Sequence, residues 1–221
     1  MITEQLNQIY HLLFERFGPQ HWWPGETKFE VMVGAILTQN TNWANVEKAI
    51  ANLKLTGCLS PEKLYNLDLR QLAELIRPAG YYNIKTKRLK NLMKWLFENY
   101  AGDLANLESV KTDTLRAELL AIKGIGNETA DSILLYALNR PIFVVDAYSA
   151  RVAVRHRLIE PDADYGQLRE LFQSNLPQDI QLFNEYHALL VRVGKEFCKP
   201  QPRCPGCPLE KLPHASGTEY F

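Results

Sequence analysis

Apolar residues recur at intervals of three and four along almost the whole chain, and almost nowhere do they alternate. Leu6, Ile9, Tyr10, Leu13 and Phe14 make one face of an opening helix, and residues 29–37 are apolar nearly all round, as in a helix buried on every side. Val46, Ile50 and Leu53 follow on a third helix. Leu72, Leu75 and Ile76 mark a short one that stops near Arg77-Pro78, because the residue before a proline is pushed out of the helical region. Leu89, Leu92, Met93, Leu96 and Phe97 define the next, which leaves through Tyr100-Ala101-Gly102-Asp103. Leu115, Leu119 and Leu120 lead into a glycine-bounded turn; Ile133, Leu134, Ala137 and Leu138 follow it. The spacing predicts further helices over 149–158, 165–176 and 182–197. Residues 142–145 alternate best, and only briefly. The pattern predicts an all-α protein.

A chain of 221 residues can bury a substantial core, as one large domain or two small lobes. With 46% hydrophobic and 23% charged residues, a chain disordered throughout is excluded. The first residues carry no basic start of a secretory leader, and no apolar run approaches the roughly 18 residues of a membrane span. A cytoplasmic location, off any membrane, is the expectation, and so is a monomer.

The 25 basic and 25 acidic side chains cancel, which removes the basic excess that often marks a nucleic-acid partner. Local patterning restores part of it. Residues 81–95 carry Lys85, Lys87, Arg88, Lys90 and Lys94 and no acid; Arg151, Arg155 and Arg157 form a second cluster; Arg192, Lys195, Lys199 and Arg203 form a third. Each cluster reads either as a DNA-facing patch or as a solvated helix face.

The most informative segment is Leu119-Leu120-Ala121-Ile122-Lys123-Gly124-Ile125-Gly126-Asn127-Glu128-Thr129-Ala130, where one helix ends and another begins almost at once. Gly124 and Gly126 can adopt backbone angles other residues avoid and let another backbone come close. The second helix then presents unpaired N–H groups and its positive dipole end, a phosphate grip that needs no basic side chain. A tight helix connection without a ligand uses the same residues. Twenty residues after Gly126, Asp146 follows Val144-Val145 and precedes a helix. A carboxylate there can cap the helix, do chemistry, or both.

Four cysteines are present. Cys58 stands alone, whereas Cys198, Cys204 and Cys207 lie within ten residues in a proline-rich tail that cannot continue as helix. In the cytosol such crowding favours a metal over disulfides.

These parts, in this order, resemble the endonuclease III superfamily of helix-hairpin-helix DNA glycosylases, from about Phe29 to Cys207. They are Leu37-Thr38-Gln39-Asn40-Thr41, Gly80-Tyr81-Tyr82-Asn83-Ile84-Lys85, the hairpin, Val145-Asp146 and the terminal cysteines. The resemblance implies two helical lobes, residues 23–138 and residues 1–22 with 139–221, with double-stranded DNA bound in a cleft between them. It implies that a damaged base is flipped out of the stack, and that Asp146 stabilises positive charge on the sugar and directs a water onto it. Gln39 and Tyr81 match the positions that fill the hole and wedge the opposite strand, with Lys123, Gly124 and Gly126 on the backbone and Lys199 and Arg203 on a DNA-facing loop.

Members that cut the strand carry a Schiff-base lysine two residues after the second hairpin glycine; here that residue is Glu128. The resemblance therefore implies a monofunctional enzyme. Gly-Ile-Gly-Asn-Glu-Thr-Ala, Trp22-Trp23-Pro24 and the aromatic Trp43 resemble the 3-methyladenine DNA glycosylase III branch. Trp22, Trp23 and Trp43 are the candidate base pocket, because electron-rich rings suit a cationic alkylated purine. The alternatives are a glycosylase with lyase activity for oxidised or mismatched bases, and a DNA-binding module without catalysis.

The spacing of Cys198, Cys204 and Cys207 resembles the iron–sulfur loop of endonuclease III relatives, yet the fourth cysteine is missing and Pro213 stands in its place. A [4Fe–4S] cluster completed by His214 or an external ligand, zinc on three thiolates and His214, and a loop without metal all remain open.

Overall fold

The computed structural model describes residues 2–215, and these form helices and turns with no strand among them. The chain divides into two compact units, Pro24–Arg140 on one hand and Met1–Trp23 with Pro141–Phe221 on the other.

The central unit contains α2 (Lys28–Leu37), α3 (Trp43–Leu55), α4 (Pro61–Asn66), α5 (Leu69–Leu75), α6 (Tyr82–Tyr100), α7 (Thr112–Ala121) and α8 (Asn127–Ser132). Its hub is α2, buried at every residue from Phe29 to Leu37, as a run apolar except for Glu30 requires. The Thr27 side chain caps α2 by accepting from the Glu30 N–H, and the buried Glu30 carboxylate meets Lys54 at 3.0 Å. The hairpin's second helix continues α8 through one π-helical turn, Ile133–Ala137, which packs on α2. Helix α4 has no long apolar pattern, but Ser60 as N-cap and Pro61 in the first turn are its local signals.

The other unit contains α1 (Ile2–Phe17), α9 (Ala147–Arg155), α10 (Tyr165–Gln173) and α11 (Ile180–Glu196). Phe143 stacks on Phe172 with centroids 4.4 Å apart and meets Phe183 and Tyr186 edge-on. Each such buried ring contributes roughly 1.5–3 kcal/mol. The buried Tyr186 hydroxyl donates to the Leu6 carbonyl at 2.8 Å, tying α11 to α1. Residues 142–145 are not a half-exposed strand: all four are buried, and the Phe143 N–H donates to the Gln173 side chain.

Charge placement departs from the sequence expectation. Lys85 (1% exposed), Arg151 and Arg155 are buried, and the Lys90 ammonium donates to the carbonyls of Leu64, Tyr65 and Leu67 at the end of α4. These four of the eight cations in the two apparent basic patches are therefore internal scaffolding. Counting lysines and arginines along the chain cannot separate a cation facing water from one that satisfies buried carbonyls.

Candidate active site

Val144 and Val145 are fully buried and carry the backbone into Asp146, the N-cap of α9. Asp146 Oδ1 accepts from the backbone N–H of Tyr148 at 2.9 Å, from that of Ser149 at 2.8 Å and from the Ser149 hydroxyl at 3.0 Å. This commits one oxygen to the helix terminus. Oδ2 faces His187 of α11, whose Nε2 lies 3.7 Å away, in ion-pair range though beyond a direct hydrogen bond. Both side chains are nearly enclosed, at 10% and 6% exposure for Asp146 and His187.

Burial alone would raise the Asp146 carboxyl. The His187 imidazole beside it, together with the Ser149 N–H and hydroxyl, more than offsets burial and holds it below the usual carboxylate range. The result is a sheltered, ionised oxygen that can face a positive centre or take a proton from water. His187 was not singled out in the sequence. Its signal is a lone polar residue inside the apolar run Tyr186-His187-Ala188-Leu189-Leu190. The two helices meet closely because residue 194 is glycine: a β-carbon there would overlap the Tyr148 side chain.

In the central unit the hairpin joins α7 to α8. Gly124 has φ +101°, and a β-carbon on it would overlap the Arg88 side chain, so both conformation and space demand glycine. Gly126 is the exposed N-cap of α8, with nothing around its missing β-carbon. Lys123 and Glu128 are exposed on either side. Arg116 of α7 braces the hairpin, donating to Asp131 Oδ1 at 2.7 Å and to Asn127 Oδ1 at 3.1 Å.

Gln39 sits against this hairpin rather than projecting from it. Its amide nitrogen donates to the Gly124 carbonyl at 3.1 Å and to the Thr129 hydroxyl at 2.9 Å, while its oxygen accepts from Arg88. Tyr81 is 65% exposed on a left-handed residue before α6, with Ile84 exposed one turn on. Trp22 and Trp23 pack edge to face at 5.5 Å in the unit that holds Asp146, and the Lys195 ammonium lies 6.0 Å from the Trp22 ring centre. Trp43 belongs to the central unit, where its indole donates to Glu47 at 2.7 Å.

Cys198, Cys204, Cys207 and His214 line one cavity of about 30 Å³ with Arg155 and His156. Arg151 donates to the Cys198 carbonyl at 2.9 Å; Arg155 reaches the Cys198 sulfur at 3.2 Å and the carbonyls of Lys199 and Pro200. Burial raises the Cys207 thiol, and the neighbouring Cys198 and Cys204 sulfurs add to the rise. His214 directs Nδ1 to the Leu212 carbonyl at 2.8 Å. As placed, no three His, Cys, Asp or Glu side chains among the described residues converge at metal-binding distance. Arg203 is exposed and Lys199 half-buried on this loop. No helix among the described residues is long and apolar enough to cross a membrane.

A Methanocaldococcus jannaschii protein whose name places it among DNA repair glycosylases is 51% identical over 211 residues, covering 95% of this chain and 96% of that protein. The Helicobacter pylori 3-methyladenine DNA glycosylase bound to 1,N6-ethenoadenine superposes with a TM-score of 0.75 at 31% identity, over 88% of this chain and 97% of that one. A trapped endonuclease III–DNA covalent intermediate superposes with a TM-score of 0.81 over 98% and 97% of the two chains; at 23% identity this likeness speaks to the fold. Residues 33–178 match the family described as HhH-GPD superfamily base excision DNA repair protein. The hairpin, the carboxylate after it and these likenesses converge: the chain belongs to the HhH-GPD superfamily of base excision DNA repair proteins.

Proposed function

We propose that this DNA repair glycosylase is monofunctional and hydrolyses the N-glycosidic bond of a flipped alkylated purine, 3-methyladenine being the type substrate. The observation that carries the reading is the division of labour on Asp146: Oδ1 is spent on the α9 terminus, and Oδ2 is held ionised beside His187. As the base departs, that oxygen stabilises the oxocarbenium-like sugar and orients or deprotonates water. Glu128 supports this mode, since a carboxylate at the Schiff-base position cannot form an imine. The hairpin N–H groups around Gly124 and Gly126, with Lys123, hold a phosphate. Tyr81 and Gln39 act on the duplex around the extruded nucleotide, and Lys199 and Arg203 add contacts from the cysteine loop.

Trp22, Trp23 and Trp43 are proposed to receive the base. The ring character and the likeness to an enzyme named for 3-methyladenine support an alkylated purine. One observation favours a neutral base instead: the Lys195 ammonium near Trp22 disfavours a second cation on that ring face. A panel of duplexes carrying 3-methyladenine, 7-methylguanine, thymine glycol, uracil, or A opposite 8-oxoguanine separates these readings. Release of the methylated purines alone is expected. Borohydride added during turnover should leave no covalent protein–DNA adduct; an adduct would establish an amine nucleophile and overturn the monofunctional assignment.

For the cysteine loop, the chemistry of three sulfurs on one cavity suits a [4Fe–4S] cluster held by Cys198, Cys204 and Cys207. His214, with Nδ1 fixed on a carbonyl, would offer Nε2 as the fourth donor, the usual outer arrangement of a ligating imidazole. The group would supply loop rigidity, with no part in base release. Anaerobically purified protein is expected to be brown, with a broad band near about 400 nm and about four irons per chain; colourless, iron-free protein would refute the cluster.

A further inference from the structure

Lys85, Arg88 and Asn91 recur every third residue on α6, and each turns its polar end onto a neighbouring chain segment. Such spacing places them along one side of the helix. The Lys85 ammonium donates to the carbonyl of Leu37, the last residue of α2, and to that of Ala79, both at 2.8 Å. Gln39 lies two residues beyond the first carbonyl, and Tyr81 two residues beyond the second. Arg88 donates to the Gln39 side-chain oxygen while its stem fills the space left by the missing side chain of Gly124. Asn91 donates to the Lys123 carbonyl at 2.9 Å.

The cost of this arrangement shows that packing alone does not explain it. Lys85 is 1% exposed and lies in the first turn of α6, where the helix dipole already disfavours a cation. Burial, and then the Arg88 charge, lower its affinity for the proton, and no carboxylate among the described residues acts against them. An apolar residue would fill the same volume without the desolvation penalty. What an apolar residue cannot do is hold two chain segments by their carbonyls.

We propose that the Lys85–Arg88–Asn91 stripe is a positioning splint: it fixes the Gln39 loop and the Tyr81 turn at one spacing against the hairpin, which Arg116 braces independently, before DNA arrives. The proposal rests on the reading of Gln39 and Tyr81 as the residues that act on the duplex. With their spacing preset, nucleotide extrusion does not have to order two loops at the moment of binding. Lys85 and Arg88 touch no substrate in this role; they act through Gln39 and Tyr81.

Arg88→Met is the main test, because residue 88 is half-buried and the change keeps the stem. Lys85→Met is the second, with circular dichroism and a thermal midpoint to verify folding; the Arg88 variant keeps the test decisive if Lys85→Met does not fold. Each is compared with Gln39→Ala on a duplex carrying the excised base, with 2-aminopurine beside it to report extrusion. Base release at saturating enzyme is expected to fall about 10- to 100-fold, as for a small misplacement of a working group. The 2-aminopurine rise should be lost, while affinity for undamaged duplex stays within about twofold. In the Gln39→Ala background, Arg88→Met should cost less than about twofold more, since residues acting through one another are not additive.

Full additivity, an unchanged rate, or a parallel loss of affinity for undamaged duplex would overturn the splint. So would faster extrusion, which would make Arg88 a restraint. If Gln39→Ala itself leaves extrusion and release intact, the reading of Gln39 falls and takes the splint with it. If Gln39→Ala is impaired and Arg88→Met is not, the splint alone falls.

Discussion

Asp146→Asn should bind lesion-containing duplex within a few-fold of the parent protein and release the base about a thousand to ten thousand times more slowly, the range for losing an electrostatic stabiliser that also serves as general base. The substitution is close to a single-property change. An asparagine oxygen can still accept from the Tyr148 and Ser149 N–H groups, so α9 keeps its cap. What disappears is the negative charge on the oxygen facing His187. Single-turnover release read beside equilibrium binding checks this, and near-normal turnover would remove Asp146 from the mechanism. Stability should respond to pH with a definite sign. The folded carboxyl titrates below its unfolded value, so its contribution is fully present above about pH 4 and is lost as pH falls through the folded value. Denaturation curves of parent and variant should therefore converge in acid and separate towards neutrality.

Gly124→Ala carries the second large effect, on DNA binding. At φ +101° an L side chain is strained, at a cost of about 1–2 kcal/mol or more. The added β-carbon would also collide with Arg88, and overpacking typically costs about 1–3 kcal/mol. The hairpin can relieve both by shifting, which would turn its N–H groups away from the phosphate they are proposed to hold. Affinity should fall about tenfold or more for damaged and undamaged duplex alike, because the contact is to the backbone. Gly126→Ala is the control: nothing lies near its missing side chain, its φ of −99° is ordinary, and it should bind far closer to the parent. Equal losses in the two variants would mean that Gly124 has no special conformational role.

The helical class was legible because α-helices announce themselves through local periodicity. The hairpin was legible because a sharp helix-to-helix turn needs glycine. Boundaries were less so: α9 begins at Ala147, ahead of the first residue suggested by spacing, because Asp146 starts it by capping. Helix α4 went unmarked, its signal being a Ser-Pro start rather than an apolar stripe. The charge clusters misled most. Lys85, Arg151 and Arg155 look like surface in one dimension, yet they bond buried carbonyls in three.

Asp146 shows where the division falls. Sequence alone determined that a carboxylate follows two valines at the start of a helix, since helix capping is a local property of neighbouring residues. It determined also that residue 128 cannot form an imine. Only tertiary structure decided that His187, 41 positions away, faces the second oxygen of that carboxylate. That pairing depends on α9 and α11 approaching across Gly194, and on no feature of either segment by itself. The same holds for α6, whose stripe has meaning only beside the carbonyls it holds. Chain-local chemistry is written in spacing; the electrostatic environment of a buried group is set by what long-range packing brings to it.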